Sequence, residues 1–399
     1  MVAPAHLIDL TRLVSRLGQP ALTGIDRVER AWLTHLLTLQ TPLFALVRTV
    51  AGCLLLPRAG AQAVADWVGG QPLPDRVDLL SRLTRRDHPL RGRAETALRP
   101  LALAALPRPL LGGALRRHLP QGTLYLNLGH ANLSRPMMRA LRAGPGLRLA
   151  VLLHDTIPLD HPEYCRADMP RRFRKRLAAI AAHADLVIHL TEATRQRTEA
   201  HLARLGRVPP GITAPLGVTP PAPDPAQLSP GLDLSTPYFV ALGTIEPRKN
   251  LGLLLDVWAD LAKAGPVPRL YVLGNRGWAD PALLHRLDAR PPGISEIAGL
   301  PDGAVQALLA GSRALLFPSL AEGFGLPPLE AAALGVPVLA TDLAPIREML
   351  QDYPVYLPGS DRYPWVQTVR LAWQAPARNG PSPALPRWDD HFRAVLTGV

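Results

Sequence analysis

Apolar residues fall in short runs separated by stretches of helical period. In the first half, His6–Leu10, Leu43–Arg48, Thr123–Leu128, Leu147–His154 and Ala184–Leu190 predict strands, and Ile25–Leu39 and Pro170–Ala182 predict helices. The second half repeats the alternation, with strands at Tyr238–Leu242, Arg269–Leu273, Ser295–Ala298, Ala314–Phe317 and Val336–Ala340. Helices at Asn250–Ala264, Asp302–Ala310 and Pro328–Leu334 separate them. Such alternation predicts an α/β protein with parallel sheets. Residues 57–120 break the pattern; they are rich in Pro and Arg and are expected to be less regular. Residues 215–237, PLGVTPPAPDPAQLSPGLDLSTP, are Pro-rich and aperiodic and read as a linker or hinge. The expected organisation is two doubly wound domains, 1–215 and 216–375, with a C-terminal segment, 376–399. Ligands of such sheets bind beyond the carboxyl ends of the strands, here in the cleft between the domains.

Composition narrows this. The 399 residues are 47% hydrophobic and 19% charged, which suits packed cores rather than disorder. No apolar stretch is long enough to span a membrane. The N-terminus, MVAPAHLIDLTRLVSR, lacks the basic start and apolar block of a secretion signal, so a cytoplasmic location is expected. Cys53 and Cys165 are the only cysteines, which excludes a disulfide framework and a multi-cysteine zinc site. The net charge of +12 is uneven: residues 1–215 hold 30 Lys+Arg against 15 Asp+Glu, and residues 216–399 hold 14 against 17. A basic first half fits nucleic acid, an anionic membrane or an anionic substrate. Aromatics are 5% and no nucleic-acid module is recognisable, so a nucleic-acid partner is not expected. The basic residues are 41 Arg and only three Lys, at 175, 249 and 263.

Two segments of the second half carry candidate chemistry. In YFVALGTIEPRKNLGLLLDVWADL, 238–261, a strand leads through a short loop into a helix expected to be capped by Asn250. Arg248 and Lys249 precede that helix, so they form either an anion site suited to a diphosphate or a solvated loop. In FPSLAEGFGLPPLEAAALGVPVLATD, 317–342, a strand leads to a glycine loop and a helix starting near Pro327 or Pro328. Glu322 lies in the loop and Glu330 in the helix. They are either ligand-binding carboxylates or partners of the helix dipole.

Together these segments resemble the donor-binding domain of retaining glycosyltransferases of family 4, which adopt the GT-B fold. The residues carrying the resemblance are GTIEPRKN at 243–250 and EGFGLPPLE at 322–330. It implies that Arg248 and Lys249 hold the diphosphate of a nucleotide sugar, that Glu330 binds the ribose hydroxyls and that Glu322 lies beside the donor sugar. Gly323, Phe324, Gly325 and Leu326 would present backbone donors. Gly299 and Leu300, in the loop 299–301, would lie against the base. GNRGW at 274–278 also resembles a family segment, without a catalytic role. In the first half, LTGIDRVER at 22–30 resembles the glycine loop of the acceptor domain, which would put Thr23 and Gly24 in the cleft; an ordinary helix start is the other reading. VLLHDTIPLDHPEY at 151–164 is similar to a segment of bacterial polysaccharide mannosyltransferases, which implies that His154 bonds the donor sugar. The final helix, Trp388–Thr397, would cross back onto the first domain.

The resemblance implies transfer of a hexosyl group, possibly mannosyl, from a GDP- or UDP-hexose to a glycan or lipid-diphosphate-linked acceptor in bacterial surface polysaccharide synthesis. No Asp-x-Asp occurs, so no metal is expected, and no cofactor beyond the nucleotide-sugar substrate. A GT-B sugar-nucleotide epimerase and a catalytically silent GT-B scaffold are the alternatives. The basic helix start RRFRKR, 171–176, is either a peripheral contact with the anionic inner membrane face or a solvated helix end.

Overall fold

The computed structural model describes residues 3–19, 22–229, 231–376 and 380–398. Met1 and Val2 of the N-terminal stretch and Pro230 of the Pro-rich segment lie outside them. The first sheet contains β1 (His6–Asp9), β2 (Leu43–Thr49), β3 (Gly52–Pro57), β4 (Ala104–Leu106), β5 (Leu124–Asn127), β6 (Arg148–Leu153), β7 (Leu186–His189) and β8 (Gly211–Thr213). Its order is β4-β3-β2-β1-β5-β6-β7-β8. Strands β2, β1 and β5 to β8 pair in parallel, as the alternation predicts.

One edge departs from the all-parallel expectation: β3 pairs antiparallel with both β2 and β4. The β2–β3 turn closes between Thr49 and Gly52. Gly52 has φ +141, and a Cβ there would strike the carbonyl of Leu106 as β4 passes. The 57–120 segment is also more ordered than expected. It holds helices Arg58–Val68, Leu79–Thr84, Pro89–Leu98 and Leu111–His118. Its prolines start helices instead of breaking them: Pro57 precedes the first and Pro89 opens the third. Many of its arginines are committed internally. Buried Glu95 takes Arg85 at 2.6 Å and Arg91 at 2.9 Å, and Arg99 pairs with Asp78.

The second sheet contains β9 (Tyr238–Leu242), β10 (Arg269–Leu273), β11 (Ile294–Ile297), β12 (Leu315–Phe317), β13 (Val338–Thr341) and β14 (Val355–Leu357). All pair in parallel in the order β11-β10-β9-β12-β13-β14. Counted from its own first strand this is 3-2-1-4-5-6, whose direction of winding reverses between β9 and β12. The loops after those two strands are the two segments singled out above.

The helix Trp388–Thr397 packs against the helix Gly24–Thr38 of the first half. Trp32 Nε1 donates to His391 Nε2 at 3.0 Å, and Phe392 stacks on His35 with centroids 4.0 Å apart. The 215–237 segment is not a free tether: Leu216 is buried, and Val218 N donates to Pro386 O at 3.1 Å. The helix Met169–His183 turns Phe173, Leu177 and Ile180 into the core. Its apolar face is therefore unavailable to a membrane. What it exposes is Arg171, Arg172, Arg174 and Lys175.

Candidate active site

The loop after β9 turns through Pro247–Lys249 and enters the helix Leu251–Lys263 at Asn250, which has φ +53. Asn250 does not cap that helix with its side chain; its Nδ2 donates to Gly359 O at 2.9 Å. The loop after β12 carries Glu322 to meet the first. Lys249 Nζ donates to Glu322 Oε1 at 2.6 Å, and Arg248 lies 2.8 Å from the same oxygen. Arg248 also pairs with Glu246 at 2.7 Å and donates to Ala321 O at 3.2 Å. Leu320 N donates to Arg248 O at 2.8 Å, which ties the two loops together. Lys249 Nζ sits 4.7 Å from the centre of the Phe317 ring.

The electrostatics follow from burial. Burial alone would raise the Glu322 carboxyl, but Arg248 and Lys249 overcome it and hold it down at about 2. Burial, helped by the charge of Arg248, lowers Lys249 against the pull of Glu322. Two half-buried cations thus stand at the switch point, paired with carboxylates. Such preorganised donors suit charge that develops on a diphosphate.

GNRGW, which has no catalytic assignment, supports this loop. Gly277 N donates to Ile245 O at 3.0 Å, and Ile245 bridges to Arg276. Gly274, at φ +152, lets β10 run tight against the carbonyl of Gly243.

The two halves meet at Gly323. A Cβ there would strike the backbone carbonyl of His154, at the carboxyl end of β6, and would lie 2.8 Å from Asp155 Cβ. Thr194 Oγ1 donates to Gly323 O at 2.9 Å from the first half. His154 is buried, and burial lowers it to about 4, so the ring is neutral. Its Nε2 lies 2.7 Å from Leu128 O. A carbonyl only accepts, so Nε2 carries the proton and Nδ1 is left to accept from a hydroxyl. Asp155 is raised by burial, with the charge of Arg248 opposing.

Beyond Gly323, Phe324 is buried, and Gly325 at φ +87 turns the chain into the helix Leu326–Ala333. No side chain caps that helix. Glu330, 3% exposed, is in its second turn. Gly299 has φ +70 with open space beside it, while Leu300 packs into the core.

Thr23 and Gly24 lie at the start of the helix Gly24–Thr38. The Thr23 hydroxyl is committed to a capping box with Asp26, and Arg12 donates to it at 3.1 Å. Gly24 faces the second half: a Cβ would lie 3.3 Å from Leu326 Cδ1. His154, Arg248, Lys249, Glu322 and Gly323 are therefore gathered at one point. Glu330, Leu326 and Gly24 form a second group across the cleft; Gly299 and Leu300 lie on the loop after β11, and among the described residues no hydrogen bond joins them to either group.

Three residues at the cleft escape the sequence reading. Arg27 places its guanidinium 2.5 Å from Glu330 Oε1. Glu348 accepts from Glu192 N at 2.7 Å and Ala193 N at 3.1 Å, so it caps a helix of the other half. The third is Thr194. Only Arg27 leaves a signal, three residues after Gly24 and hence on its helix face.

Residues 228–357 match the family model described as Glycosyl transferases group 1. The serotype-specific mannosyltransferase WbdA of Escherichia coli is 30% identical over 224 residues, covering 52% of this chain and 28% of that protein. The O-antigen chain mannosyltransferase B of Escherichia coli is 30% identical over 216 residues, covering 51% and 56%. The chain thus spans between about a quarter and about half of the length of these relatives. Among solved structures, a trehalose-6-phosphate synthase superposes with TM-score 0.52 at 16% identity, covering 76% of this chain and 78% of that one. Sucrose-phosphate synthase from Thermosynechococcus elongatus gives 0.51 at 19%, covering 74% and 82%. These likenesses establish the GT-B fold.

Proposed function

We propose, from the premise that residues 228–357 are a group 1 glycosyltransferase domain on a GT-B scaffold, that the protein is a retaining hexosyltransferase. It takes a hexosyl group, mannosyl in the first instance, from a GDP- or UDP-sugar. It delivers that group to a glycan or lipid-diphosphate-linked acceptor of a bacterial surface polysaccharide. The observation that carries this reading is the convergence of Arg248 and Lys249 on Glu322, at 2.8 and 2.6 Å, with the next residue, Gly323, packed against the His154 carbonyl. The mannosyltransferase relatives support the sugar and the pathway class.

In this reading the bond between the sugar's anomeric carbon and the diphosphate breaks as one forms to the acceptor oxygen, whose proton passes to the departing diphosphate. Negative charge then grows on the leaving diphosphate. Arg248 and Lys249 stabilise it in a site from which bulk water is largely excluded. Glu322 holds both cations in place beforehand and sits beside the sugar once the diphosphate takes its place on them. After Gly325 the N–H of Leu326 adds a donor; Pro327 and Pro328, which follow it, have none. His154 Nδ1 accepts from a sugar hydroxyl, Glu330 takes the ribose hydroxyls, and the base lies along Gly299 and Leu300. Arg248 and Lys249 do the work that a metal does elsewhere, so activity is expected to survive chelation with EDTA.

Among the described residues no helix is long and apolar enough to cross a membrane. The exposed Arg171, Arg172, Arg174 and Lys175 would give peripheral attraction to an anionic inner leaflet, at about 1 kcal/mol each. Sedimentation with anionic liposomes at low salt checks this: binding should be lost when the four become Ser. The function itself is tested by mass-spectrometric detection of sugar transfer across GDP- and UDP-hexoses. Failure of every donor to be consumed, with glycan and lipid-linked acceptors present, would overturn it.

A further inference from the structure

The helix Gly24–Thr38 belongs to the first sheet's half, yet its first turn reaches into the donor side. Its start is fixed by the Thr23–Asp26 capping box. Asp26 is already paired with Arg12 at 2.8 Å and Arg16 at 3.3 Å, so Arg27 has no claim on its neighbouring acid. Arg27 instead crosses the cleft to Glu330 Oε1 at 2.5 Å. The other Glu330 oxygen has only a long contact, 3.4 Å, from Gln306 Nε2. A carboxylate has about four acceptor positions over its two oxygens, so Oε2 is open to further donors. Beside the pair lies a cavity of about 380 Å³, lined by Arg27, Arg30 and His35 from one half, by Glu330 and Leu326 from the other, and by Trp388.

We propose that Arg27 is a positioning residue for the donor nucleotide, supplied by the acceptor domain: it clasps Glu330 from across the cleft, so that ribose binding at Glu330 and closure of the cleft become one coupled event. The inference rests on the reading that Glu330 takes the ribose hydroxyls. Arg27 occupies Oε1, orients the buried carboxylate, and leaves Oε2 for the ribose. The ion pair can exist only while the two halves are closed on each other. Whatever favours Glu330 in this arrangement therefore favours closure, and closure favours the nucleotide by the same factor.

The test is calorimetry with bare UDP, GDP and ADP on the full chain, comparing wild type, Arg27→Ala, Arg27→Lys, Glu330→Gln and the Arg27→Ala/Glu330→Gln double variant. Small-angle scattering is measured on the same ligand-free proteins, and thermal melting confirms that each is folded. For whichever diphosphate the wild type binds, Arg27→Ala should weaken binding about 10-fold or more, within the usual range of coupling between sites. Arg27→Lys should recover part of that loss. In the Glu330→Gln background, Arg27→Ala should cost less than about 2-fold further, because the partner is already gone. Ligand-free Arg27→Ala should scatter as a more open particle than wild type. Affinity within about 2-fold of wild type, tighter binding, or losses that simply add would each overturn the proposal. If the wild type binds none of the three diphosphates, the donor reading fails instead. Scattering then decides the clasp alone: an unchanged radius for Arg27→Ala overturns it, and an increase supports it.

Discussion

Two pairs of helices face each other across the cleft, and they begin differently. In the first half, Gly24–Thr38 starts with a complete capping box, and Glu192–Ala203 starts with Thr191 on Thr194 N and the borrowed carboxylate of Glu348. In the second half, Leu251–Lys263 and Leu326–Ala333 start after left-handed residues, Asn250 and Gly325, with no side-chain cap. A capped start has spent free N–H groups on its own protein; an uncapped start keeps those it has, at Leu251 and Gly252 in one helix and at Leu326 alone in the other, because Pro327 and Pro328 carry none. The uncapped pair flanks Arg248 and Lys249 at the switch point of the second sheet. The comparison therefore supports the proposed anion site in the second half, although the basic excess of the sequence lies in the first. In the first half much of that charge is structural, as the arginines around Glu95 show.

The comparison breaks most readily at Lys249. Each charge-assisted contact is worth roughly 1.5–3 kcal/mol, so Lys249→Ala, or Arg248→Ala, should lower kcat/KM by about 10–100-fold. Steady-state kinetics with the preferred nucleotide sugar decide it, and near-normal turnover would refute the assignment of the diphosphate to these cations.

In the proposed reading the two glutamates divide the donor between them. Glu330→Gln should weaken binding of the bare nucleoside diphosphate, whereas Glu322→Gln should show its main effect only when the sugar is attached. Calorimetry separates these, and equal losses for the bare nucleotide would contradict the division.

Acid should open the two halves in sequence. Burial holds His6, His154, His189 and His391 near 4, and all four lie in or against the first sheet. Each is neutral in the fold but binds a proton on unfolding below its ordinary value of 6.5. Each histidine's contribution therefore falls as pH drops from 6.5 towards 4, by at most about 1.4 kcal/mol per pH unit, offset in part by Asp9, Glu29 and Asp155, which burial raises. Glu322 behaves in the opposite sense: its contribution is present above its ordinary value of 4.5 and is lost only as pH falls from there towards 2. Hydrogen exchange at pH 5 should show the first sheet losing protection before the second. Simultaneous loss would count against this account.

The smallest effect expected is at Thr23. Removing its hydroxyl in Thr23→Ala should cost about 1 kcal/mol and a few degrees of melting temperature. Nucleotide affinity should stay within about 3-fold, because the hydroxyl is committed to capping its helix and to Arg12. A large affinity loss without destabilisation would return Thr23 to the donor site.

Most of the second domain is legible from periodicity, because parallel strands buried on both faces stand out as apolar runs. Arg248, Lys249, Glu322 and Glu330 are legible because each lies within a few residues of a strand end or helix start. The first half is less so. The β3–β4 edge is hidden because β4 is three residues long, and the helices between are masked by arginines whose partners are distant in sequence. Arg27 illustrates the limit: its motif is visible, but its partner Glu330 is on the other domain, and no local pattern reports a contact made only when two sheets close on each other.

The central claim is that this cleft releases a nucleoside diphosphate from a sugar held between Glu322 and His154. Its most direct test incubates the wild-type protein with a panel of nucleotide hexoses and glycan or lipid-linked acceptors, with EDTA present. Released diphosphate and product mass are measured together. The account predicts that one class of nucleotide sugar is consumed, with one diphosphate released per hexose transferred. Consumption of no donor by folded protein, or transfer that appears only when a divalent metal is restored, would contradict it.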